Sequence, residues 1–201
     1  MNHILVVMVV LMTLVGCASP INRHTATKYN QAGYAAIESG NWADARMYFA
    51  RAIQNAKMGG VDRQAMAVLW YEYGRSSGVI CDWPEADRGL NEAYKLDAET
   101  GGPVYMSLYE LGKMSYDRKQ YTKAIEYFAR VKKEFDKVQA DTKDPLGYAD
   151  YLEEYASALE QTDNAMEVEE HRSRAAELRK IFEGKDSHTE KTPYGTQCKS
   201  L

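Results

Sequence analysis

The sequence predicts an all-α fold assembled from helical hairpins, on three observations. From about residue 26 onward, apolar residues recur at the spacing of a helix, and no stretch alternates as a strand would. Pro20, Pro84, Pro103, Pro145 and Pro193 fall between the periodic stretches or at helix starts, where a missing N–H is tolerated. Gly59-Gly60 and Gly101-Gly102 punctuate the same joints. Finally, a six-position pattern occurs three times along the chain, the mark of a repeat architecture.

The first element, residues 1–16, stands apart from that pattern. Ile4 to Leu14 is apolar except for Thr13. At about 1.5 Å per helical residue such a run covers roughly half of a ~30 Å hydrocarbon core, too little for a settled transmembrane helix. It has the length of a signal-peptide h-region, although residues 1–16 carry no Lys or Arg. The following Leu14-Val15-Gly16-Cys17 resembles the lipobox of bacterial lipoproteins. That resemblance implies a diacylglyceryl group on the Cys17 thiol, cleavage before Cys17 and acylation of its amine. Ala18, rather than Asp, follows the cysteine, which in enteric-type bacteria implies sorting to the outer membrane. Several acyl chains on one residue exceed the two-signal requirement for stable anchoring. Residues 17–25 then read as a lipidated polar tether.

Residues 26–183 hold the repeats. Each copy opens on a large apolar residue (Tyr29, Trp70, Leu108), followed by a glycine (Gly33, Gly74, Gly112). An aromatic comes next (Trp42, Trp83, Tyr121), then an alanine (Ala45, Ala86, Ala124). The pattern closes on Phe49, Leu90 or Phe128, then Ala52, Ala93 or Val131. The physical reading is direct. The glycine lets the two helices of a hairpin approach, the aromatic covers their turn, and the alanine is the contact where the second helix crosses the first. The last two positions fill the gap to the next hairpin. This pattern resembles the tetratricopeptide repeat (TPR), and the second copy, with "GVICDWPEA", is also similar to the related SEL-type repeat. Either resemblance implies a right-handed α-hairpin solenoid of about three to four repeats. Copies start near residues 26, 67, 105 and 149, further apart than the family's period of about 34, so second helices or joints must be longer. The fourth copy keeps Leu152, Ala156 and Ala175 but carries Val168 at the crossing and Arg172 where Phe or Leu belongs, as suits a terminal cap. Residues 184–201 lack periodicity and read as a polar C-terminal tail.

Composition narrows the function. A net charge of −4 with mixed signs gives no reason to expect nucleic acid. His3, His24, His171 and His188 lack metal-ligand spacing with Cys, Asp or Glu, and no nucleophile motif or P-loop occurs, so no catalytic residue, cofactor or metal is expected and the chain reads as a non-enzyme. Pairs such as Glu153-Glu154 and Glu169-Glu170 point apart on a helix and read as solvated faces.

A binding groove is the better reading. In the TPR family the first helix of each hairpin lines a concave surface, and carrying that over places Tyr34, Tyr71, Arg75, Tyr109, Lys113 and Tyr116 there. Tyrosine with arginine is the composition of recognition hot spots. Because none of these holds a signature position, removing Tyr71 or Tyr109 is expected to spare the scaffold; padding between helices is the competing reading. The family's carboxylate clamp does not carry over: the matching positions are Asn30, Tyr34, Glu72, Met106 and Glu110, and only the asparagine agrees. An extended or helical protein segment with aromatic or aliphatic side chains suits the surface better. With Cys17 lipidated, Cys81 and Cys198 either pair, strapping the tail over the solenoid, or stand as independent thiols. The expected protein is an outer-membrane lipoprotein facing the periplasm, held by its lipid anchor, that scaffolds or assembles an envelope protein. A self-associating module, or a non-catalytic regulatory subunit of a peptidoglycan enzyme, is the alternative.

Overall fold

Ser19 caps the first helix: its side chain accepts a hydrogen bond from Asn22 N, and Pro20 occupies the first turn, where no N–H is needed. Helix α1 therefore spans Pro20–Glu38. Of the tether expected over residues 17–25, residues 20–25 are instead helical. They lack apolar periodicity, yet the cap, the proline and an Arg23 guanidinium donating to the carbonyl oxygens of Gly59 and Gly60 hold them in the helix. The computed structural model describes residues 19–162, 164–185, 187 and 191–198; the signal segment and the lipobox cysteine Cys17 lie outside the described residues.

The remaining helices follow in antiparallel pairs: α2 Trp42–Met58, α3 Arg63–Val79, α4 Trp83–Thr100, α5 Val104–Asp117, α6 Tyr121–Val138, a single turn α7 Ala140–Lys143, α8 Pro145–Leu159 and α9 Ala165–Ile181. Asn41, Asp62 and Asp144 cap α2, α3 and α8 through their side chains. Hairpins α1–α2, α3–α4, α5–α6 and α8–α9 stack in chain order, each against its neighbours. The extra length over a TPR period sits in the second helices α2, α4 and α6 and in α7.

The turns of the first three hairpins are built alike. Gly40, Cys81 and Lys119 occupy equivalent positions at φ 73°, 67° and 59°. The residue after each donates its N–H back to the first helix, Asn41 to Ala36 O, Asp82 to Ser77 O and Gln120 to Ser115 O, at 2.8, 2.9 and 2.8 Å. This is a left-handed helix C-terminus repeated three times, with orphan carbonyls satisfied. Only one copy uses glycine; Cys81 and Lys119 bear the small cost of that conformation.

The signature positions have the assigned roles. Ala45, Ala86, Ala124, Phe49, Leu90, Phe128, Ala52, Ala93 and Val131 are fully buried. A β-carbon on Gly33 would meet the Phe49 ring at 2.6 Å, and one on Gly112 the Phe128 ring at 2.6 Å. In the second hairpin Gly74 lies against the backbone of Gly89 and Leu90, so α3 and α4 touch main chain to main chain. In the fourth, Ala156 and Ala175 are buried while Arg172 faces out and pairs with Glu160 at 2.8 Å, the polar face of a cap.

Candidate functional site

The first helices α1, α3, α5 and α8 line the face on which the six assigned residues were expected, but burial divides those residues. Tyr34 on α1 stays 37% exposed, edge-on to Phe49. Tyr116 on α5 is half-buried against Tyr121. Arg75, Tyr109 and Lys113 are only 7%, 9% and 8% exposed. Tyr109 is a core residue: its ring packs at 6.1, 6.3 and 5.8 Å from Phe128, Phe135 and Tyr151, and its hydroxyl faces Glu154. The expectation that removing Tyr109 would spare the scaffold is therefore reversed. The signature accounts for contacts inside one hairpin, whereas Tyr109 fills the seam between the third and fourth. Tyr148, Tyr151 and Tyr155 share that seam, and the Tyr151 hydroxyl donates to the Phe128 carbonyl at 2.9 Å.

Beneath the groove lies a buried charge network that the sequence reading did not foresee. Arg75 Nη1 donates to Glu72 at 3.1 Å, and its guanidinium lies 5.9 and 5.5 Å from the Trp42 and Tyr71 ring centroids. Lys113 Nζ pairs with Glu110 Oε1 at 2.5 Å and lies 4.6 Å over the Tyr109 ring. Glu110 feels two opposed effects. Burial raises its pKa, but the charges of Lys113 and Arg75 prevail and hold the carboxyl below its usual range. At Glu154 burial outweighs the lowering by Lys113, the Tyr109 hydroxyl and Lys191, and pushes the carboxyl up. Burial, then the Glu110 charge, pushes the Tyr71 hydroxyl well up, so it remains a neutral donor to Glu110. Two i,i+3 pairs, Glu72–Arg75 on α3 and Glu110–Lys113 on α5, thus face each other across adjacent hairpins.

The C-terminal tail crosses this network. Residues 191–198 run over the C-terminal halves of α5 and α3. Arg75 Nε donates to Thr192 Oγ1 at 2.8 Å, and the Tyr194 hydroxyl donates to Glu110 Oε2 at 2.7 Å. Tyr194 is 5% exposed and packs with Ala86, Leu90, Leu111 and Met114. Gly195 N donates to Gly78 O at 3.2 Å, Gln197 N to Val79 O at 3.0 Å, and Gln197 Nε2 to Gly40 O at 2.9 Å. Cys81 and Cys198, left open by the sequence, are joined in a disulfide with a Cα–Cα distance of 5.1 Å. Cys198 is the only sequence signal that the tail returns to the solenoid. Nothing in the sequence marks Thr192 or Tyr194.

Beside the tail, toward the N-terminal halves of α5 and α8, the groove stays open. This cleft has a volume of about 620 Å³ and is walled chiefly by Tyr105, Met106, Tyr109, Phe135, Val138 and Tyr148. Met106 and Val138 keep 39% and 36% of their surface exposed at its mouth. Among the described residues, no group of three His, Cys, Asp or Glu side chains is placed to hold a metal ion, and no helix is long and apolar enough to cross a membrane.

Stacked hairpins, glycine-mediated crossings and a concave groove define a TPR-like α-hairpin solenoid. The comparisons agree at the level of fold. The chain is similar to BtubC (BKLC) from P. vanneervenii, seen in its crystal structure, with a TM-score of 0.72 at 13% identity, covering 83% of this chain and 67% of that one. It is also similar to a putative kinesin light chain of Podosopora anserina with nearly identical TPR-like repeats, seen in the crystal structure of a single-substitution variant, with a TM-score of 0.66 at 14% identity, covering 88% of this chain and 84% of that one. No protein-family profile matches the chain, and neither does any curated protein.

Proposed function

We propose that this protein is a non-catalytic scaffold of the bacterial envelope, anchored in the outer membrane through a lipidated Cys17 and docking a segment of another envelope protein in its concave groove. The observation that carries the docking is the open cleft. Met106 and Val138 present apolar surface at its mouth while Tyr105, Tyr109, Phe135 and Tyr148 supply rigid aromatic wall, which offers contact area at little entropic cost. Lys143 and Asp144 lie in the same lining and supply polar contacts for register. An aliphatic or aromatic segment, helical or extended, fits this lining. Two features support the address: the lipobox resemblance, and a disulfide, which persists in an oxidising compartment.

Two experiments test the reading. A photo-crosslinking residue at Met106, introduced in cells, should give one discrete adduct that the added change Val138→Asp removes. An adduct only with a second copy of this chain would replace docking by self-association, and no adduct would remove the groove from the reading. Separately, Cys17→Ser should abolish palmitate labelling and leave an unprocessed or soluble periplasmic form; a mutant still labelled and membrane-bound refutes the anchor.

A further inference from the structure

The lane beneath residues 191–198 is built as a recognition site, and its occupant is part of the same chain. Three features mark it. Gly78 leaves a hole that an aromatic ring fills: a β-carbon there would stand 2.5 Å from Cδ1 and Cε1 of Tyr194. At the bottom of the hole the buried Glu110 carboxylate accepts the Tyr194 hydroxyl. Two residues earlier along the occupant, the buried Arg75 donates to the Thr192 hydroxyl. Backbone N–H groups of Gly195 and Gln197 add to carbonyls at the end of α3, and residues 194–197 form a turn, with Gly195 at φ 70° and Thr196 N donating to Pro193 O, so a turn is held by main chain while two side chains set its register. The two charged side chains that do the reading are oriented by Glu72 and Lys113 on their own helices.

We propose that this lane is a peptide-binding site for a turn-forming protein segment with a tyrosine two residues after a hydroxyl side chain, and that residues 191–198 are its tethered occupant, locked in by Cys81–Cys198 and made exchangeable when a dithiol reduces that bond. The lock is accessible because Cys198 is exposed. A thiolate of the dithiol attacks Cys198 Sγ, Cys81 leaves as a thiolate and takes a proton, and the second thiol of the dithiol closes on the mixed disulfide. Cys198 is released as a thiol, the dithiol becomes a disulfide, and two electrons have passed to the protein. The tail then competes as a tethered ligand rather than a covalent one. With an effective concentration on the order of 1 mM and an intrinsic Kd of about 50 µM, it weakens an outside segment about twentyfold. The lane adjoins the open cleft and shares Glu72, Arg75, Glu110 and Lys113 with its lining, but Met106 and Val138 at the cleft mouth take no part in it, so its failure leaves the docking reading standing.

The test uses the full chain and a fluorescein-labelled peptide, Lys-Thr-Pro-Tyr-Gly-Thr-Gln, read by anisotropy. The variant Tyr194→Ala with Cys198→Ser vacates the lane and should bind the peptide in the micromolar range. Oxidised wild type should show no binding, and dithiol-reduced wild type should bind about twentyfold more weakly than the variant. Adding Gly78→Ala to the variant should abolish binding without lowering helicity, because with the ring gone the nearest atom to the new methyl is Ala86 Cβ, at an ordinary 3.5 Å. The peptide with alanine in place of tyrosine should not bind. A folded variant that ignores the peptide, or oxidised wild type that binds it equally well, overturns the proposal. Amide exchange of wild type decides independently of any variant: reduction should speed exchange at Gly195 and Gln197, and unchanged protection refutes the lock.

Discussion

Gly74→Ala is the sharpest test of how the hairpins are held. On an exposed helix this change would stabilise by about 1 kcal/mol, because alanine is the better helix former. Here the new β-carbon would stand 2.7 Å from Leu90 N, 2.8 Å from Leu90 Cγ and 3.1 Å from Gly89 C. Main chain cannot swing aside like a side-chain tip. Restoring an ordinary carbon contact of roughly 3.6 Å requires α3 and α4 to part by about 1 Å at their crossing. That movement loosens Ala86, Leu90 and Ala93, all fully buried. Overpacking typically costs about 1–3 kcal/mol, and against backbone about 3–4 kcal/mol is expected, so after the propensity gain of about 1 kcal/mol the net loss should be about 2–3 kcal/mol. For a chain of this size that lowers Tm by about 5–10 °C, measured by circular dichroism at 222 nm. Gly40→Ala is the control. It has φ 73° but nothing within 4 Å of its β-carbon, and should cost only about 1 kcal/mol. A Gly74→Ala protein that melts at or above wild type, or above Gly40→Ala, would refute the close crossing.

Further outcomes follow from burial and charge. Ala86→Leu and Ala124→Leu should each cost about 1–3 kcal/mol or more in urea denaturation, whereas Ala98→Leu, on the exposed face of α4, should cost little; the opposite ranking would disprove the register. Tyr109→Ala should cost about 3 kcal/mol or more and Tyr34→Ala under about 1 kcal/mol, because one ring fills the seam between hairpins and the other is partly solvated; equal losses in urea denaturation would contradict that division. His171 packs on Tyr155 at 4.7 Å, and burial holds it below the ordinary histidine value of 6.5; Glu170 and Glu167 pull it up, and Lys132 of α6 adds to the lowering. The folded state then binds fewer protons than the unfolded one near pH 6.5. Stability is full above that value and falls as pH drops through it toward the lower folded pKa. In His171→Phe this part of the pH dependence of the urea midpoint should vanish, and an unchanged slope would assign it elsewhere.

What the sequence by itself determined is what repeats. Gly33 meets Phe49, and Gly112 meets Phe128, inside single hairpins of the same design, so each contact left the same kinds of residue at the same spacing. Helix periodicity and the joints were legible for the same reason, since they depend on neighbours one turn away. The start of α1 at Pro20 was missed because a cap and a distant Arg23–Gly59 contact hold it, with no apolar stripe to announce it. The tertiary structure decided everything that occurs once. Arg75 meets Thr192 across 117 positions and Glu110 meets Tyr194 across 84, and neither contact has a periodic echo to read. Burial of Tyr109 and Lys113 depends on how one hairpin is rotated against the next, and that rotation is set by the sum of many side-chain contacts rather than by any local pattern. The same tyrosine-and-arginine composition can line an open groove or pack a closed seam. The packing of the third hairpin on the fourth, and the return of the tail to Cys81, turned much of that face into seam while the cleft at Met106 and Val138 stayed open.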